Sequence, residues 1–252
     1  MNGKETVMEV EGKRVLITGA NRGLGRALAL ACLRAGAAEV VAGARRLESL
    51  DDLKAAAGEA GARLTAVALD VTADETIQDA ARRGRADILI NNAGVACYGG
   101  VLKGRIEAII EEAEINYVGL LRVVRAFAPA MAAHGDGLIV NVGSVMGKVN
   151  APVLGTYCAT KAAMLSLSQA LRGDLSDSGV RVITVLPSTL DTDMSRGFDG
   201  PKMSADEAAA EILEAIRAEE AERPIGPAAR ELLSALAADP LGIEQAFAKF
   251  RA

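Results

Sequence analysis

The sequence is poor in aromatic residues and in histidine, and it carries no excess of positive charge. Aromatic residues make up 3% of the 252 residues, and Trp is absent, so we expect an aliphatic, alanine-rich core. The net charge of −5 argues against nucleic-acid binding, which needs a clustered basic surface. The one histidine, His134, precedes a glycine and is expected to end a helix. A single histidine supports neither a multi-histidine metal site nor a confident Ser-His-Asp triad, and no metal is predicted.

Cysteines are few, and long apolar runs are missing. Cys32, Cys97 and Cys158 are far apart and odd in number, so reduced thiols in packing positions are favoured over a disulfide framework or a zinc site. No run approaches the roughly 20 apolar residues that span a bilayer. Charges interrupt any signal-peptide core within residues 1–14. We therefore expect a cytoplasmic protein without a membrane partner, with residues 1–10 as a frayed leader.

Short β-branched runs alternate along the chain with longer segments rich in alanine and leucine. Strands are predicted at 14–20, 39–45, 63–71, 87–94, 137–144 and 181–188. Helices are predicted at roughly 23–36, 46–60, 74–83, 103–134 and 156–178. Most of the strands are continuously apolar, as parallel strands buried on both faces are. The pattern predicts one α/β domain over residues 1–252, a Rossmann-type doubly wound parallel sheet of about seven strands with helices on both faces.

The alternation loosens after residue 188. Residues 189–203 are polar and punctuated by Gly and Pro, and the wider segment 189–222 is predicted to form a loop and a helix on the substrate side. Ser204 and Glu207 have capping-box spacing, so this helix should begin at Ser204. A short last strand at 223–227 and two further helical stretches complete the prediction.

A glycine-rich turn, TGANRGLG at residues 18–25, follows the first strand and opens a helix. Gly19, Gly23 and Gly25 let the backbone approach a pyrophosphate, whose charge then lies at the helix N-terminus. This TGxxxGxG spacing is a weak signal by itself, and a tight turn without a ligand is the alternative.

Two arginines, Arg45 and Arg46, stand about 20 residues beyond the glycine loop, at the end of the second strand. An acid at this point binds the ribose 2′-OH of NAD, whereas an arginine takes the 2′-phosphate of NADP. No carboxylate lies between residues 40 and 47, and Arg22 could approach the same phosphate. NADP(H) is therefore predicted, and NAD(H) is less favoured. The alternative is that both arginines begin a solvated helix and pair with acids that follow.

Tyr157 and Lys161 are four residues apart at the start of a predicted helix, so their side chains share one face. A neighbouring ammonium favours the phenolate, which makes Tyr157 a candidate general acid for a forming alcohol, or a base in the reverse direction. Ser144 ends the fifth strand, where it can stabilise charge on a substrate oxygen. A YxxxK pair alone is common by chance, but here it accompanies the glycine loop, the strand-end serine and NNAG at 91–94.

With these motifs the chain resembles the short-chain dehydrogenase/reductase family in its compact single-domain form. The resemblance spans residues 12 to about 194 and adds Asp70 after the third strand and Asn116 in the long helix. Two departures stand out. The family usually has Pro-Gly after the sixth strand, where this chain has Pro187 and Ser188, and the segment between Asp70 and Asn91 is short.

The resemblance implies a nucleotide lying across the carboxyl edge of the sheet. The predicted cofactor-binding residues are Gly19, Asn21, Arg22, Gly23, Leu24, Gly25, Arg45, Arg46, Asp70, Val71, Asn91, Ala93, Gly94, Tyr157, Lys161, Pro187 and Thr192. The implied catalytic residues are Asn116, Ser144, Tyr157 and Lys161. Tyr157 would transfer the proton, Lys161 would hold the nicotinamide ribose and lower the pKa of the tyrosine, and Asn116 would anchor a relay water. Asp70 could equally cap a strand end, and Asn116 could be a buried amide bonded to backbone.

The sequence thus predicts an NADP(H)-dependent oxidoreductase that interconverts a ketone or aldehyde and an alcohol. An NAD-linked secondary alcohol dehydrogenase and a non-catalytic NADP(H)-binding regulatory protein are the alternatives. The residues predicted to face the substrate are mostly apolar: Val95, Ala96, Cys97, Tyr98, Ser144, Val145, Met146, Val149, Leu154, Leu190 and Met194. A small, neutral, apolar substrate is therefore expected. The two long helices carry more apolar residues than one sheet face needs, and the resemblance implies that they pair in a homodimer or homotetramer.

Overall fold

A parallel β-sheet of seven strands forms the centre of the computed structural model, which describes residues 8–251. Its strand order is β3-β2-β1-β4-β5-β6-β7. The strands are β1 (Arg14–Thr18), β2 (Glu39–Ala44), β3 (Leu64–Ala68), β4 (Ile88–Asn91), β5 (Gly137–Val142), β6 (Val180–Pro187) and β7 (Glu222–Ile225). The predicted doubly wound fold is confirmed. The strand order reverses between β1 and β4, which leaves a crevice at their carboxyl ends.

Helices connect the strands and follow the last one. They are α1 (Gly23–Arg34), α2 (Asp51–Ala57), α3 (Asp74–Arg82), α4 (Gly100–Lys103), α5 (Ile106–Ala113), α6 (Leu120–His134), α7 (Gly155–Asp174), α8 (Ala205–Ala218), α9 (Pro227–Ala238) and α10 (Pro240–Phe247). In residues 8–251, no helix is both long enough and apolar enough to cross a bilayer.

Each face of the sheet has its own hydrophobic core. On one face α1 and α8 pack together through aliphatic side chains such as Leu28 and Ile212. On the other face α3, α6 and α7 contribute Ile77, Phe127 and Met164 among others. Phe127 and Tyr157 are the buried aromatic side chains of the described chain, so the core is aliphatic, as expected from the composition.

The helix predicted over 103–134 is divided. It begins as the short α4, continues as α5 and α6, and contains a wider π-helical turn at Glu114–Gly119 between them. The π turn carries Ile115 and Asn116, both buried. The helix predicted at 46–60 is also shorter, because a 3-10 turn precedes α2 and Gly58, with φ of +53°, follows it. A left-handed glycine breaks the regular hydrogen-bond pattern at that point.

The segment before β1 differs from the expected frayed leader. Met8 and Val10 are buried in the core that α1 and α8 share, and the Met8 backbone N–H donates to Glu219 Oε1 at 2.8 Å. Residues 1–7 of the predicted leader lie outside the described part of the chain. Two end signals are confirmed: Ser204 and Glu207 form a capping box at the start of α8, and His134 ends α6 before a left-handed Gly135.

Candidate active site

A cavity of about 1020 Å³ opens at the carboxyl ends of the strands. The glycine loop and the arginines after β2 line one end, and Ser144, Tyr157 and Lys161 line the other. All the predicted cofactor-binding residues except Asn91 line this cavity. The fold therefore brings together residues that lie more than 170 positions apart in the sequence.

The glycine loop is a close-packed cradle. Gly19 has φ of +66°, and a Cβ atom at Gly25 would lie 2.2 Å from the Gly19 carbonyl oxygen. The helix α1 begins at Gly23 with no side chain capping its first turn and with no acidic residue there. Its uncapped N–H groups and positive dipole end therefore suit a pyrophosphate.

Arg45 and Arg46 are exposed at the cavity wall just beyond β2. Neither guanidinium forms an ion pair within residues 8–251, and Asp51 pairs with Lys54 instead. The structure therefore does not show the alternative, in which both arginines pair with acids of a solvated helix. Arg22 differs from them, because its Nη1 lies 3.2 Å from Asp193 Oδ2.

The side chains of the neighbouring Asn91 and Asn92 lie on opposite sides of the chain. Asn91 is buried at the end of β4, does not line the cavity, and donates from Nδ2 to Asn141 Oδ1 on β5 at 2.9 Å. Asn92 lines the cavity and donates from Nδ2 to the carbonyl oxygens of Thr18 and Gly19 at 3.0 and 3.1 Å. Side chains alternate along an extended segment, so Asn91 at the end of β4 and the following Asn92 face opposite sides. The side chain that holds the glycine loop is therefore Asn92, which the sequence analysis missed.

The Thr18 hydroxyl completes this connection between β1 and β4. Its Oγ1 accepts from the backbone N–H groups of Asn92 and Ala93, both at 3.0 Å. Asp70, after β3, lines the cavity and also accepts from Thr72 N and Thr72 Oγ1 through Oδ1. Asp70 therefore has the strand-end capping role considered for it. Both bonds of this turn use Oδ1, and neither uses Oδ2.

Tyr157 lies in the first turn of α7 and is 9% exposed. Ser144 lines the same cavity and lowers the pKa of the Tyr157 hydroxyl. Ser144 is positioned by β5: its Oγ donates to the Pro187 carbonyl oxygen at 3.4 Å and accepts from the Met146 N–H at 3.1 Å. A tyrosine hydroxyl and a serine hydroxyl thus belong to one cavity wall, as a reaction at a single oxygen requires.

Lys161 lies one helical turn after Tyr157 and is 5% exposed. Its Nζ donates to the Val142 carbonyl oxygen at 2.8 Å and lies 5.7 Å from the centre of the Tyr157 ring. Burial lowers the pKa of Lys161 from 10.5 to about 8, although the nearby Glu112 carboxylate raises it. Lys161 is therefore charged at neutral pH and loses its proton in mildly alkaline solution.

The pKa of Tyr157 differs from the expectation. Burial raises it above the ordinary value of 10, and Ser144 lowers it by less. The lowering expected from Lys161 is not found, and desolvation of the buried phenolate sets the direction of the pKa shift. Tyr157 is therefore a neutral phenol at pH 7, which is the proton-donating form.

Asn116 lies behind the cavity wall and does not line the cavity. Its Oδ1 accepts from the Val95 N–H at 2.9 Å, and its Nδ2 donates to the Val95 carbonyl oxygen at 2.8 Å and to Thr160 Oγ1 at 3.0 Å. Two of these bonds join the buried amide to backbone, and the third joins it to a side-chain hydroxyl. Asn116 thereby fixes the strand-end segment after β4 against α7.

The substrate end departs from the prediction at Cys97 and Val149, which do not line the cavity, whereas the other predicted residues do. The Cys97 N–H instead donates to Glu112 Oε1 at 2.5 Å. Glu112 is 1% exposed, and its Oε2 has no hydrogen-bond partner among residues 8–251. Sequence analysis missed this carboxylate, although it lies one helical turn before Asn116 and so shares its face.

The loop after β6 follows an ordinary path. Ser188, which replaces the expected glycine, lines the cavity, and Glu219 is the sole non-glycine residue with positive φ in residues 8–251. Ser188 therefore needs no glycine-like conformation. Farther along this loop, the Met194 carbonyl oxygen accepts from the Tyr98 hydroxyl at 2.7 Å. This bond joins the loops after β4 and β6 beside the cavity. None of the residues of α8, the helix that follows, lines it.

Comparison with known proteins identifies the family. The model of the short chain dehydrogenases matches residues 13–201. The chain belongs to this family. The match includes the glycine loop, the strand-end Ser144 and the Tyr157–Lys161 pair, and it ends before α8.

Individual relatives of this short-chain dehydrogenase differ in the activities that their names state. It is 36% identical over 198 residues to sorbitol dehydrogenase of Cereibacter sphaeroides, covering 76% of each chain. It is 31% identical over 203 residues to the 3-oxoacyl-[acyl-carrier-protein] reductase FabG of Vibrio cholerae, covering 79% of this chain and 82% of the reductase.

A solved structure covers almost the whole dehydrogenase. A short chain dehydrogenase from Burkholderia cenocepacia, crystallised in complex with NADP, is 38% identical and has a TM-score of 0.88. The similarity covers 95% of this chain and 99% of that one. It therefore extends beyond residue 201, where the match to the family model ends.

Proposed function

We propose that this dehydrogenase is an NADP(H)-dependent carbonyl reductase that converts a ketone or aldehyde to an alcohol, with Tyr157 as the general acid. The observation that carries the proposal is the buried phenol of Tyr157, which lines the cavity together with Ser144 and Lys161 and whose pKa is raised by burial. Carbonyl reduction needs a proton donor at the substrate oxygen. A phenol whose pKa lies above the ordinary value is protonated at neutral pH and can be that donor.

The residues of the cavity fit a nicotinamide nucleotide that carries a 2′-phosphate. The cradle at Gly25 leaves no room for a Cβ atom, and the uncapped start of α1 suits the pyrophosphate. Arg45 and Arg46 are exposed without carboxylate partners at the end of β2, where a 2′-phosphate is bound in this fold. The Burkholderia relative, crystallised with NADP, supports the same choice. When bound, NADPH supplies the hydride that reduces the carbonyl carbon.

The chain's own groups manage the proton. Ser144 orients the substrate oxygen beside the Tyr157 hydroxyl, and Tyr157 donates its proton to that oxygen as negative charge develops there. Lys161, charged at neutral pH, then stabilises the phenolate that remains. Asn116 holds Val95 and Thr160 and so keeps the wall around Lys161 in place. In the reverse direction the same phenolate would act as the base.

The proposal extends to substrate, assembly and location. The substrate end is mostly apolar, which favours a neutral carbonyl compound. The short helix α4 and the following α5 expose Leu102, Ile106 and Ile110, at 96%, 61% and 61%, which supports burial of this surface in a homodimer or homotetramer. Cys32, Cys97 and Cys158 are unpaired, in keeping with a cytoplasmic location, where thiols stay reduced.

The test is a panel of neutral ketones, aldehydes and secondary alcohols assayed by initial rates with NADPH, NADH and the oxidised cofactors. We expect reduction with NADPH to have the highest kcat/KM. Equal efficiency with NADH would contradict the cofactor assignment, and turnover confined to alcohols with NAD⁺ would favour an NAD-linked dehydrogenase. Cofactor binding without any turnover would favour a regulatory nucleotide-binding protein.

A further inference from the structure

The aromatic residues of this chain are concentrated at one place. The sequence has four Phe, three Tyr and no Trp. Five of these seven line the active-site cavity: Tyr98, Tyr157, Phe198, Phe247 and Phe250. Phe127 is the one phenylalanine in the buried core of residues 8–251. The aromatic side chains therefore lie mostly at the cavity, and few of them pack in the hydrophobic core.

Two of these rings come from the C-terminal end of the chain. Phe247 ends α10, and Phe250 follows it, with the two rings 5.7 Å apart at an interplanar angle of 63°. The backbone holds them there, because the Phe250 carbonyl oxygen accepts from the Val153 N–H at 2.9 Å. The Val153 carbonyl oxygen accepts from the Gly99 N–H at 3.3 Å. Val153 lies four residues before Tyr157, so the C-terminal rings are tied to the segment that leads into the catalytic helix.

The surroundings of these rings are apolar. Ala228 and Leu232 of α9, with Val153 and Leu154, complete this side of the cavity. No charged residue of α9, α10 or the segment 152–154 lines it. Phe198, in the loop after β6, and Phe250 are 41% and 50% exposed. Each of these rings therefore still has apolar area that a bound apolar group can remove from water.

We propose that Phe247 and Phe250 form an aromatic wall that binds an aromatic ring of the substrate, so that the preferred substrates are aryl ketones and aryl aldehydes. This inference rests on the proposed carbonyl reduction and specifies the part of the substrate distant from the reacting oxygen. Aromatic rings prefer offset or edge-to-face contacts with centres 4.5–7 Å apart, a geometry that Phe247 and Phe250 already adopt with each other. A saturated ring of equal size gains burial in this wall but not these contacts.

The test compares acetophenone with cyclohexyl methyl ketone, two ketones of similar size, using NADPH. The quantity of interest is the ratio of their kcat/KM values in Phe247→Leu and Phe250→Leu relative to the unaltered protein, because intrinsic ketone reactivity cancels in that comparison. Leucine keeps an apolar side chain and removes the π face. We expect the ratio to fall about fivefold to tenfold in each variant, mainly through a higher KM for acetophenone.

Leu241→Ala is the matched control, since Leu241 lies on α10, is 69% exposed and does not line the cavity. Its ratio should equal that of the unaltered protein. Phenylalanine variants that leave the ratio unchanged would overturn the aromatic wall. So would a ratio that rises in either variant.

Calorimetric binding of 1-phenylethanol and 1-cyclohexylethanol separates this inference from the proposed reaction, because binding needs no turnover. The measurement is made with the protein alone and saturated with NADPH. Tighter binding of the phenyl compound, lost in Phe247→Leu, would support the wall even if no ketone in the panel were reduced. Turnover of both ketones with equal binding of both alcohols would retain the reaction and refute the wall.

Discussion

The guanidinium of Arg22 lies 3.2 Å from the carboxylate of Asp193, so an ion pair joins the glycine loop to the loop after β6. Both side chains are about half exposed or more, at 68% and 49%, so the pair adds little to the free energy of unfolding. Its importance is for the cofactor. Arg22 already has a carboxylate partner, whereas Arg45 and Arg46 have none in residues 8–251, which makes them better placed to bind a phosphate.

Replacing Arg45 with alanine should weaken NADPH binding and spare NADH binding. A hydrogen bond to a charged group contributes about 1.5–3 kcal/mol, so the Kd for NADPH should rise about 10- to 100-fold. Calorimetry with both nucleotides measures this, and Arg34→Ala, at the far end of α1, is the control. An unchanged Kd for NADPH would exclude Arg45 as a phosphate ligand.

Replacing Asp193 with asparagine should tighten NADPH binding a few-fold. The substitution removes a negative charge beside Arg22 and leaves the guanidinium free for the phosphate. Because the ion pair is exposed, the midpoint of thermal unfolding should change little. If titration gives the same Kd for NADPH as in the unaltered protein, Arg22 does not reach the phosphate.

Tyr157→Phe should abolish carbonyl reduction while leaving the Kd for NADPH nearly unchanged. Loss of a general acid lowers kcat by about 10²–10⁴-fold, and the ring itself remains. Tyr117→Phe is the matched control, because Tyr117 is 37% exposed and does not line the cavity. Residual kcat above a tenth of normal in Tyr157→Phe would require another proton donor.

The pH dependence of kcat/KM should report Lys161. Its pKa of about 8 means that the ammonium is lost as the pH rises through 8, so kcat/KM should fall on the alkaline side. The Glu112 carboxylate raises the pKa of Lys161, and it also acts on Tyr157 and Cys158. Glu112→Gln removes that charge and keeps an acceptor for the Cys97 N–H. The alkaline limb should then move to lower pH.

The control for Glu112→Gln is Glu107→Gln, an exposed position on the same helix α5. Its pH profile should superimpose on that of the unaltered protein. A Glu112→Gln profile that loses amplitude at every pH without moving would point to a purely structural role for the carboxylate.

Two glycine-to-alanine substitutions should have opposite effects on stability. A Cβ atom at Gly25 would lie 2.2 Å from the Gly19 carbonyl oxygen, so Gly25→Ala must distort the cradle and weaken NADPH binding. At Gly173, within α7, a Cβ atom meets nothing within 4 Å. Gly173→Ala should raise the free energy of unfolding by about 0.4–1 kcal/mol. Denaturant titration and nucleotide binding of both variants measure the contrast.

Local patterns predicted the parts of the fold that depend on local chemistry. The β-strands, the start of α1 after the glycine loop and the capping box at Ser204 follow from apolar runs, glycine spacing and capping residues. The π turn around Asn116 was not predictable from local pattern, and it carries the amide that bonds Val95, 21 positions earlier in the chain. Likewise, the sequence NNAG does not say which asparagine faces inward.

The site was predictable as far as its motifs extend. The residues of the glycine loop, Ser144, Tyr157 and Lys161 line one cavity, as their positions at strand ends and helix starts indicate. Phe247 and Phe250 belong to no motif, and Phe250 lies 97 positions after its backbone partner Val153. The burial of Glu112 could not be predicted either, because a carboxylate in an acidic helix is normally solvated.

The backbone bond between Phe250 and Val153 joins the segment after α10 to the segment that leads into α7. The reacting groups come from the strand ends and α7, while one side of the cavity comes from a short terminal segment. If the aromatic wall selects the substrate, grafting residues 240–251 onto a homologous scaffold should redirect the substrate range of that scaffold without altering Ser144, Tyr157 or Lys161.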